Sequence, residues 1–498
     1  MKKDNFFKDS IILTISNLAT GILGFMFSIV LSRTIGPEGM GVYGLVMPIY
    51  NLFICLISGG MIAAISKISA IYFAKNDIKN LRKTVRTCLS FDLIWGIIVS
   101  LTVFFSASFI STNIIKDTRT SYAIIIICPA MIFIALSSIF KGYFYGISDI
   151  KIPAVIDIVE KAVRITLIVL VVGYLSTSSI KYTVTSAYGI LGIGELSSLI
   201  LLFLFYKMRK QKNSYEGYKL ESKAQLLFDV LIISLPLCLN GFLTTALSTV
   251  STLIIPRRLV STGISYSAAL SMIGKFNGMA LNITFFPIIV IGSINTILIP
   301  DLSQSLSKKD YFTVENRITN VLKIAFLLGI TTAAICFCIP NSLGKMFFGR
   351  SDLGAYIKFA AISAPIAYTS ATTYGILNGL GKQGILLRNS LFIAIEEIIL
   401  LYILTGISSI NIYGYGISLI ITAFTALVLN IYEIQKKCNL CLPPSELYIY
   451  ILTAILLFFI ILIINNLLPA GSAIFNNIIV IVSGFTLFFL SVMLLSKK

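Results

Sequence analysis

The sequence has no histidine and little charge of either sign. Aspartate, glutamate, lysine and arginine make up 12% of its 498 residues, whereas a soluble domain carries about 25%. The absence of histidine excludes a histidine proton relay, and Cys438 and Cys441 form a C-x-x-C with no second pair, so no metal site is expected. There is no G-x-x-x-x-G-K-[ST] loop, which leaves an ATP-driven pump unsupported.

Long apolar runs separated by short polar breaks dominate the sequence, and 57% of the residues are hydrophobic. A transmembrane helix needs about 20 mainly apolar residues. The runs therefore predict an all-α integral membrane protein with about fourteen transmembrane helices. The predicted helices span residues 10–32, 41–73, 87–110, 121–143, 152–174, 184–207, 225–255, 266–300, 318–340, 355–378, 384–405, 412–435, 446–468 and 473–495.

The formal charge of +18 reflects 39 basic against 21 acidic residues. Most basic residues fall in alternate loops between the predicted helices, as the positive-inside rule requires. The loops rich in basic residues begin near Lys75, Lys207, Lys308 and Lys436, and a further pair is assigned to this side at Lys141 and Lys151. This pattern predicts a multi-pass membrane protein with both termini in the cytoplasm.

Two parts of the chain share short sequence patterns, which indicates an internal repeat. R-T-I-G-P-E-G at 33–39 has a counterpart in R-R-L-V-S-T-G at 257–263, and the G-x-x-x-G that ends at Gly146 matches the one that ends at Gly379. Chance is the alternative, since such motifs are common wherever helices pack closely. The repeat predicts two pseudo-symmetric six-helix lobes. Their boundaries are 1–208 and 225–436, joined by a cytoplasmic loop at 209–224 and followed by a helix pair at 437–498.

Four charged residues interrupt the predicted fifth helix: Asp157, Glu160, Lys161 and Arg164. Their spacing places them on one helical face, where Asp157 can pair with Lys161 and Glu160 with Arg164. Charges inside a membrane are costly and normally face a bundle interior or a water-filled cavity. Two interpretations are open: the stripe lines a substrate cavity, or it is a self-neutralised group that holds helices together.

Three further acidic residues lie in predicted helices. Glu396 and Glu397 occupy the eleventh helix with no basic residue within one turn, and Glu195 occupies the sixth. Glu396 and Glu397 are candidates for coupling transport to an ion, because a carboxyl without a basic neighbour binds a proton or a cation. Glu195 and Asp157 are further coupling candidates. The alternative is a neutral, hydrogen-bonded carboxyl without a transport role.

Basic residues near helix ends are candidates for binding an anionic substrate. Lys275 and Asn282 lie in the eighth helix, where a cation and a donor suit a pyrophosphate. Arg33 and Arg257 lie in outer loops, where they either receive a headgroup or anchor helix ends. Lys67 lies close to the cytoplasmic end of the second helix, where snorkelling is an adequate explanation.

Taken together and in order, several motifs make the sequence similar to one known family. They are S-R-T-I-G-P-E-G-M-G-V-Y-G at 32–44, A-A-I-S-K at 63–67, K-G-Y-F-Y-G at 141–146, V-I-D-I-V-E-K-A-V-R-I at 155–165, G-K-F-N-G-M-A at 274–280 and L-I-P-D-L-S at 298–303. The chain resembles the stage V sporulation protein B branch of the multidrug/oligosaccharidyl-lipid/polysaccharide (MOP) exporter superfamily, over nearly its whole length.

The resemblance implies two six-helix lobes facing each other in a V, with two extra C-terminal helices and alternating access. It implies a flippase in the bacterial cytoplasmic membrane that moves an undecaprenyl-pyrophosphate-linked peptidoglycan precursor, with a link to the spore cortex. By the same resemblance, Lys275 falls near a cationic position of lipid II flippases, and Glu160 and Arg164 match the E-x-x-x-R of the branch. Lipid II flippases also carry two arginines in the first helix, whereas residues 20–27 contain none.

Several functions therefore compete. Besides a lipid II flippase, the sequence is compatible with a flippase for another lipid-linked polysaccharide, a drug/cation antiporter, or a non-transporting scaffold for cell-wall synthases. An enzyme is not expected, because the loops are too short to hold a catalytic domain. No cofactor and no nucleic acid partner are expected. Coupling to the membrane potential, to H⁺ or to Na⁺, is compatible with the acidic residues. The expected partners are a lipid-linked oligosaccharide, membrane lipids and cell-wall synthases.

Overall fold

The computed structural model describes residues 3–175, 179–209, 220–438, 444–468 and 473–496, and all regular elements in these ranges are helical. Most of the predicted loop 209–224 lies outside the described residues, as do Lys2, Cys441, Lys497 and Lys498. The helices are α1 Lys3–Ser58, α2 Met61–Ala74, α3 Ile78–Phe109, α4 Ser121–Gly146, α5 Lys151–Leu175, α6 Ile180–Met208, α7 Lys223–Ser261, α8 Tyr266–Ile273, α9 Leu281–Phe285, α10 Ile288–Ser307, α11 Tyr311–Cys338, α12 Pro340–Phe348, α13 Gly354–Gly379, α14 Gln383–Leu404, α15 Tyr413–Gln435, α16 Pro444–Leu467 and α17 Ala473–Ser496.

Apolar side chains on the outer faces of these helices are exposed. On α3, Ile94, Ile98, Phe105 and Phe109 are 62%, 51%, 79% and 61% exposed. Soluble proteins rarely expose such a continuous apolar strip, whereas a bilayer solvates it. Within the described ranges, nine helical runs are long and apolar enough to cross a membrane. The number fourteen remains a prediction.

Two glycines with positive φ change the direction of the chain, Gly36 between the first two predicted helices and Gly60 inside the second. Gly36, with φ 69°, kinks α1, and the predicted second helix, 41–73, ends early at Ser58 because Gly60 adopts φ 74°. A Cβ on Gly60 would lie 2.7 Å from the Ser234 carbonyl oxygen of α7, so glycine allows the close approach as well as the turn. The predicted eighth helix, 266–300, was also too long, since a π-helical turn at Gly274–Ala280 and a break near Pro287 divide it.

Aspartate side chains fix where several helices begin. Asp77 accepts a hydrogen bond from the Asn80 backbone N–H at 3.0 Å, at the start of α3. Asp310 does the same for Thr313 at 3.1 Å, at the start of α11. Each carboxylate satisfies an N–H that the first turn of a helix leaves without a partner.

The chain divides into two compact units, Met1–Leu253 (unit 1) and Ile254–Lys498 (unit 2). The boundary between the two ranges falls within α7. In unit 1, α4 packs against α2, α3 and α6, and α1 packs against α4, α5 and α6. In unit 2, α13 packs against α10, α11 and α15, and α16 and α17 pack against α11. The predicted lobe boundaries, 1–208 and 225–436, remain predictions.

The two G-x-x-x-G motifs occupy equivalent places in these packing patterns. A Cβ on Gly146 would lie 2.5 Å from the Ser66 carbonyl oxygen of α2, and one on Gly379 would lie 3.2 Å from the Ile299 carbonyl oxygen of α10. In each unit, the second glycine of the motif lets a central helix approach a neighbouring backbone. This shared contact supports the interpretation of the motifs as an internal repeat.

Candidate functional site

Arg164 on α5 lies at the centre of a group of ion pairs inside unit 1. Its Nη2 lies 2.6 Å from Glu195 Oε1 on α6, and its Nε contacts Glu160 Oε1 one turn earlier on α5. Arg164, Glu160 and Glu195 are only 8%, 5% and 9% exposed. One buried guanidinium therefore bridges carboxylates from two helices. Breaking a buried pair by removing one partner typically costs about 3–5 kcal/mol.

Three more charges extend this group toward α4. Lys161 Nζ lies 3.3 Å from Glu160 Oε2, and Lys141 Nζ on α4 lies 2.7 Å from Asp157 Oδ1. With the central three residues these form the ion-pair network, which holds three basic and three acidic side chains. The formal charges cancel, so the network adds no net charge to the apolar interior of unit 1. It ties α4, α5 and α6 together.

The structure corrects part of the predicted pairing. The Glu160–Arg164 pair is confirmed, but the predicted Asp157–Lys161 pair is wrong. Lys141 was assigned to a cytoplasmic loop, yet it lies within α4 and is half-buried against Asp157. A lysine from the neighbouring helix reaches Asp157, which leaves Lys161 to pair with Glu160.

Gly194, immediately before Glu195 on α6, makes room for this arrangement. A Cβ at this position would lie 2.6 Å from Arg164 Nε, 2.7 Å from Arg164 Cγ and 3.0 Å from Glu160 Oε1. Any other residue would collide with the side chains that form the pairs. The close packing of α5 on α6 therefore depends on a glycine that carries no charge of its own.

Tyrosines of α1 border the ion-pair network. Tyr50 is buried, and its hydroxyl has no hydrogen-bond partner among the described residues. Tyr43 stacks on Tyr188 of α6 at 4.6 Å, and the Tyr188 hydroxyl donates to the Tyr43 carbonyl oxygen at 2.6 Å. These contacts hold α1 beside the network.

In unit 2, Lys275 lies in the π-helical turn and pairs with Asp352. Lys275 Nζ lies 2.8 Å from Asp352 Oδ2, and Arg350 also binds Asp352, through Nε at 2.8 Å and Nη2 at 2.7 Å. The Arg350 hydrogen bonds, followed by that of Lys275, hold the pKa of Asp352 well below its usual range. Asp352 therefore keeps a cationic partner even when Lys275 moves to another anion.

The remaining candidates for binding an anionic substrate lie at exposed or half-buried positions. Arg33, Lys67 and Arg257 are exposed. Asn282 is half-buried, and its Nδ2 donates to the Gly278 carbonyl oxygen at 2.6 Å, within the same helical segment. The part of these residues in substrate binding stays a prediction.

The acidic pair of α14 is only partly satisfied. Glu396 Oε1 accepts a hydrogen bond from Thr425 of α15 at 2.9 Å, whereas Oε2 has no hydrogen-bond partner among the described residues. Glu397 is half-buried. Asp157 and Glu195, the other coupling candidates, are ion-paired. Among the four, Glu396 and Glu397 are the carboxyls without a cationic partner in the described ranges.

Sequence reasoning missed two polar features. Asn389 Nδ2 of α14 donates to Asn430 Oδ1 of α15 at 2.9 Å, and Asn430 Nδ2 donates to Thr373 Oγ1 of α13 at 2.8 Å. Neutral polar side chains in apolar runs gave little indication in the sequence of these hydrogen bonds between helices. The second feature is Asp92 on α3, which is fully buried. It could have been identified from the sequence as a single acidic residue in an apolar run. In the described part of the chain, no group of three or more histidine, cysteine or acidic residues is placed to hold a metal ion.

Comparisons with known proteins identify a matching family and similar proteins. A family model described as polysaccharide biosynthesis protein matches residues 6–306. Stage V sporulation protein B of Bacillus subtilis (strain 168) is 25% identical over 448 residues, which covers 90% of this chain and 86% of that protein.

Two solved structures share the fold. Lipid II flippase MurJ in an inward closed conformation aligns with a TM-score of 0.70 at 14% identity, over 97% of this chain and 100% of that one. An inward-facing multidrug resistance MATE family transporter of the MOP superfamily aligns with a TM-score of 0.65 at 15% identity, over 85% and 94% of the two chains. These alignments confirm the predicted fold class.

Proposed function

Because the chain belongs to the polysaccharide biosynthesis protein family, we propose that it is a flippase for an undecaprenyl-pyrophosphate-linked peptidoglycan precursor. The observation that carries the proposal is the alignment with the MurJ structure, which spans 97% of this multi-pass membrane protein and the whole of that chain. The MATE transporter aligns over a smaller share, 85%. The solved relatives are transporters, and the chain is a transporter rather than an enzyme.

The finer features of this proposal concern place and partners. The protein works in the bacterial cytoplasmic membrane with both termini in the cytoplasm, and it moves the precursor by alternating access. Its similarity to stage V sporulation protein B supports a role in sporulation, and we assign that role to the spore cortex. Cell-wall synthases that use the translocated precursor are the expected protein partners.

Lys275 is the residue we assign to the pyrophosphate headgroup. An ammonium binds phosphate through charge-assisted hydrogen bonds. Asp352 already holds Lys275 Nζ at 2.8 Å, and an incoming phosphate replaces that carboxylate. The exchange leaves Asp352 paired, because Arg350 remains bound to it. Arg33, exposed in unit 1, is the second basic candidate, since the first helix lacks arginine at 20–27.

A translocation assay in reconstituted vesicles with labelled lipid II tests the proposal. We compare wild type with Lys275→Ala and Lys275→Arg, and use Lys345→Ala as the control because it removes the same charge from an exposed position of α12. A hydrogen bond to a charged group is worth about 1.5–3 kcal/mol, so Lys275→Ala should slow transport about ten- to a hundredfold at low substrate concentration.

Lys275→Arg should retain most of the activity, and Lys345→Ala all of it. Transport by Lys275→Ala at the wild-type rate would remove Lys275 from the headgroup site. If folded wild type moves another polyprenyl-linked glycan but not lipid II, the protein is a flippase for that polysaccharide and the peptidoglycan assignment is wrong.

A further inference from the structure

Asp92 is an acidic residue buried in an apolar part of unit 1. It lies on α3, six residues beyond Arg86, the last basic residue of that helix, or about 9 Å further along the helix axis. Its relative exposure is 0%. The residues that follow it to the end of α3 include no other charged side chain.

Neither carboxyl oxygen of Asp92 has a hydrogen-bond partner among the described residues. The helices packed on α3 are α1, α2 and α4, and none of their described side chains forms an ion pair with it. On these helices Arg33 and Lys67 are exposed, Glu38 is held in a salt bridge, and Lys141 belongs to the ion-pair network.

Cys88 lies one turn earlier than Asp92 on the same helix. Cys88 is itself buried, and a thiol supplies no positive charge. An ionised carboxylate at this position would have neither water nor a cation to stabilise it. The protonated carboxyl, which is neutral, avoids that cost.

Two hydrogen bonds beyond Asp92 on α3 join this helix to α1 and α4. Trp95 Nε1 donates to the Leu56 carbonyl oxygen of α1 at 3.3 Å, and Ser100 Oγ donates to the Cys128 carbonyl oxygen of α4 at 2.8 Å. Asp92 has no exposed surface in this conformation, and separation of α3 from one of these helices would expose it to water.

We propose that Asp92 is a proton-binding site that is protonated in this conformation and releases its proton when α3 separates from α1 or α4. The inference does not depend on which substrate is transported, because it concerns the charge state of one carboxyl. It differs from the coupling candidates of the sequence, of which Asp157 and Glu195 are ion-paired. Local opening of unit 1 would thereby release one proton from Asp92.

Infrared spectroscopy on protein labelled with ¹³C at the aspartate side-chain carboxyl tests this inference. At neutral pH the wild type should show one protonated-carboxyl C=O band that shifts with the label, and Asp92→Asn should lack it. Asp157→Asn is the matched control, because its carboxylate is paired with Lys141 and should contribute only to the ionised bands.

The absence of a labelled protonated band in wild type would overturn the proposal without recourse to any variant. A band that persists in Asp92→Asn would overturn it as well. The stability profile gives an independent check. The apparent Tm of wild type should fall relative to Asp92→Asn as the buffer becomes more alkaline, because only the unfolded wild-type chain releases this proton freely. Parallel profiles would also contradict protonation at Asp92.

Discussion

Gly194→Ala should destabilise the protein through the ion-pair network. The new Cβ would lie 2.6 Å from Arg164 Nε and 3.0 Å from Glu160 Oε1, so Arg164 must move. Overpacking of this kind costs about 1–3 kcal/mol. If Arg164 is displaced far enough to lose its pairs with Glu160 and Glu195, the cost rises to about 3–5 kcal/mol.

Gly192→Ala is the matched control on the same helix. A Cβ on Gly192 would lie 3.6 Å from the Ala130 Cβ, which is an ordinary van der Waals contact. Both substitutions gain the same helix propensity, about 1 kcal/mol for alanine over glycine. The difference between the two variants therefore isolates the collision with Arg164.

Thermal unfolding in one detergent, followed with a thiol-reactive fluorophore, measures this difference. The buried thiols of Cys88 and Cys128 become reactive as the helices separate. We expect a lower apparent Tm for Gly194→Ala than for wild type, and an equal or higher one for Gly192→Ala. Equal apparent Tm values for the two alanine variants would refute the assignment of Gly194 as the residue that accommodates Arg164.

Three further predictions concern other contacts. Lys141→Asp and Asp157→Lys should each lower the apparent Tm, and the double exchange should restore most of it; failure of the exchange to rescue would argue against a direct pair. The pKa of Asp352 is lowered in the folded protein, so its stabilising contribution is present above the ordinary aspartate pKa and is lost as the pH falls through the lower folded value. Asp352→Asn should therefore reduce the fall of the apparent Tm at acid pH. An unchanged fall would contradict the pairing. Gly146→Ala should destabilise more than Gly379→Ala, because the nearest backbone oxygens would lie 2.5 Å and 3.2 Å from the new Cβ; the reverse order in Tm would oppose this packing.

Much of the fold could be predicted from the sequence because a bilayer allows few solutions. Apolar runs must become helices that satisfy their own backbone groups. One error arose where a glycine changes the direction of the chain inside an apolar run. The predicted helix 41–73 divides at Gly60, whose positive φ and close approach to α7 depend on tertiary contacts.

The candidate site was predictable in part for a similar reason. Charges in an apolar run stand out, so the stripe from Asp157 to Arg164 was identified, and helical spacing gave the Glu160–Arg164 pair. Partners on other helices were not predictable, because periodicity along one helix does not give the register between two. Lys141 and Glu195 reach the stripe from α4 and α6, and Asp352 reaches Lys275 from 77 residues along the chain.

The measurement that tests the central proposal most directly is transport by purified wild type in one set of reconstituted vesicles. Labelled undecaprenyl-pyrophosphate-linked glycan and a cationic dye are offered in parallel, with and without an imposed membrane potential or proton gradient. A lipid-linked glycan flippase should move the glycan lipid across the bilayer and leave the dye in place. Movement of the dye without the glycan lipid would contradict the proposal and indicate a drug antiporter of the same fold.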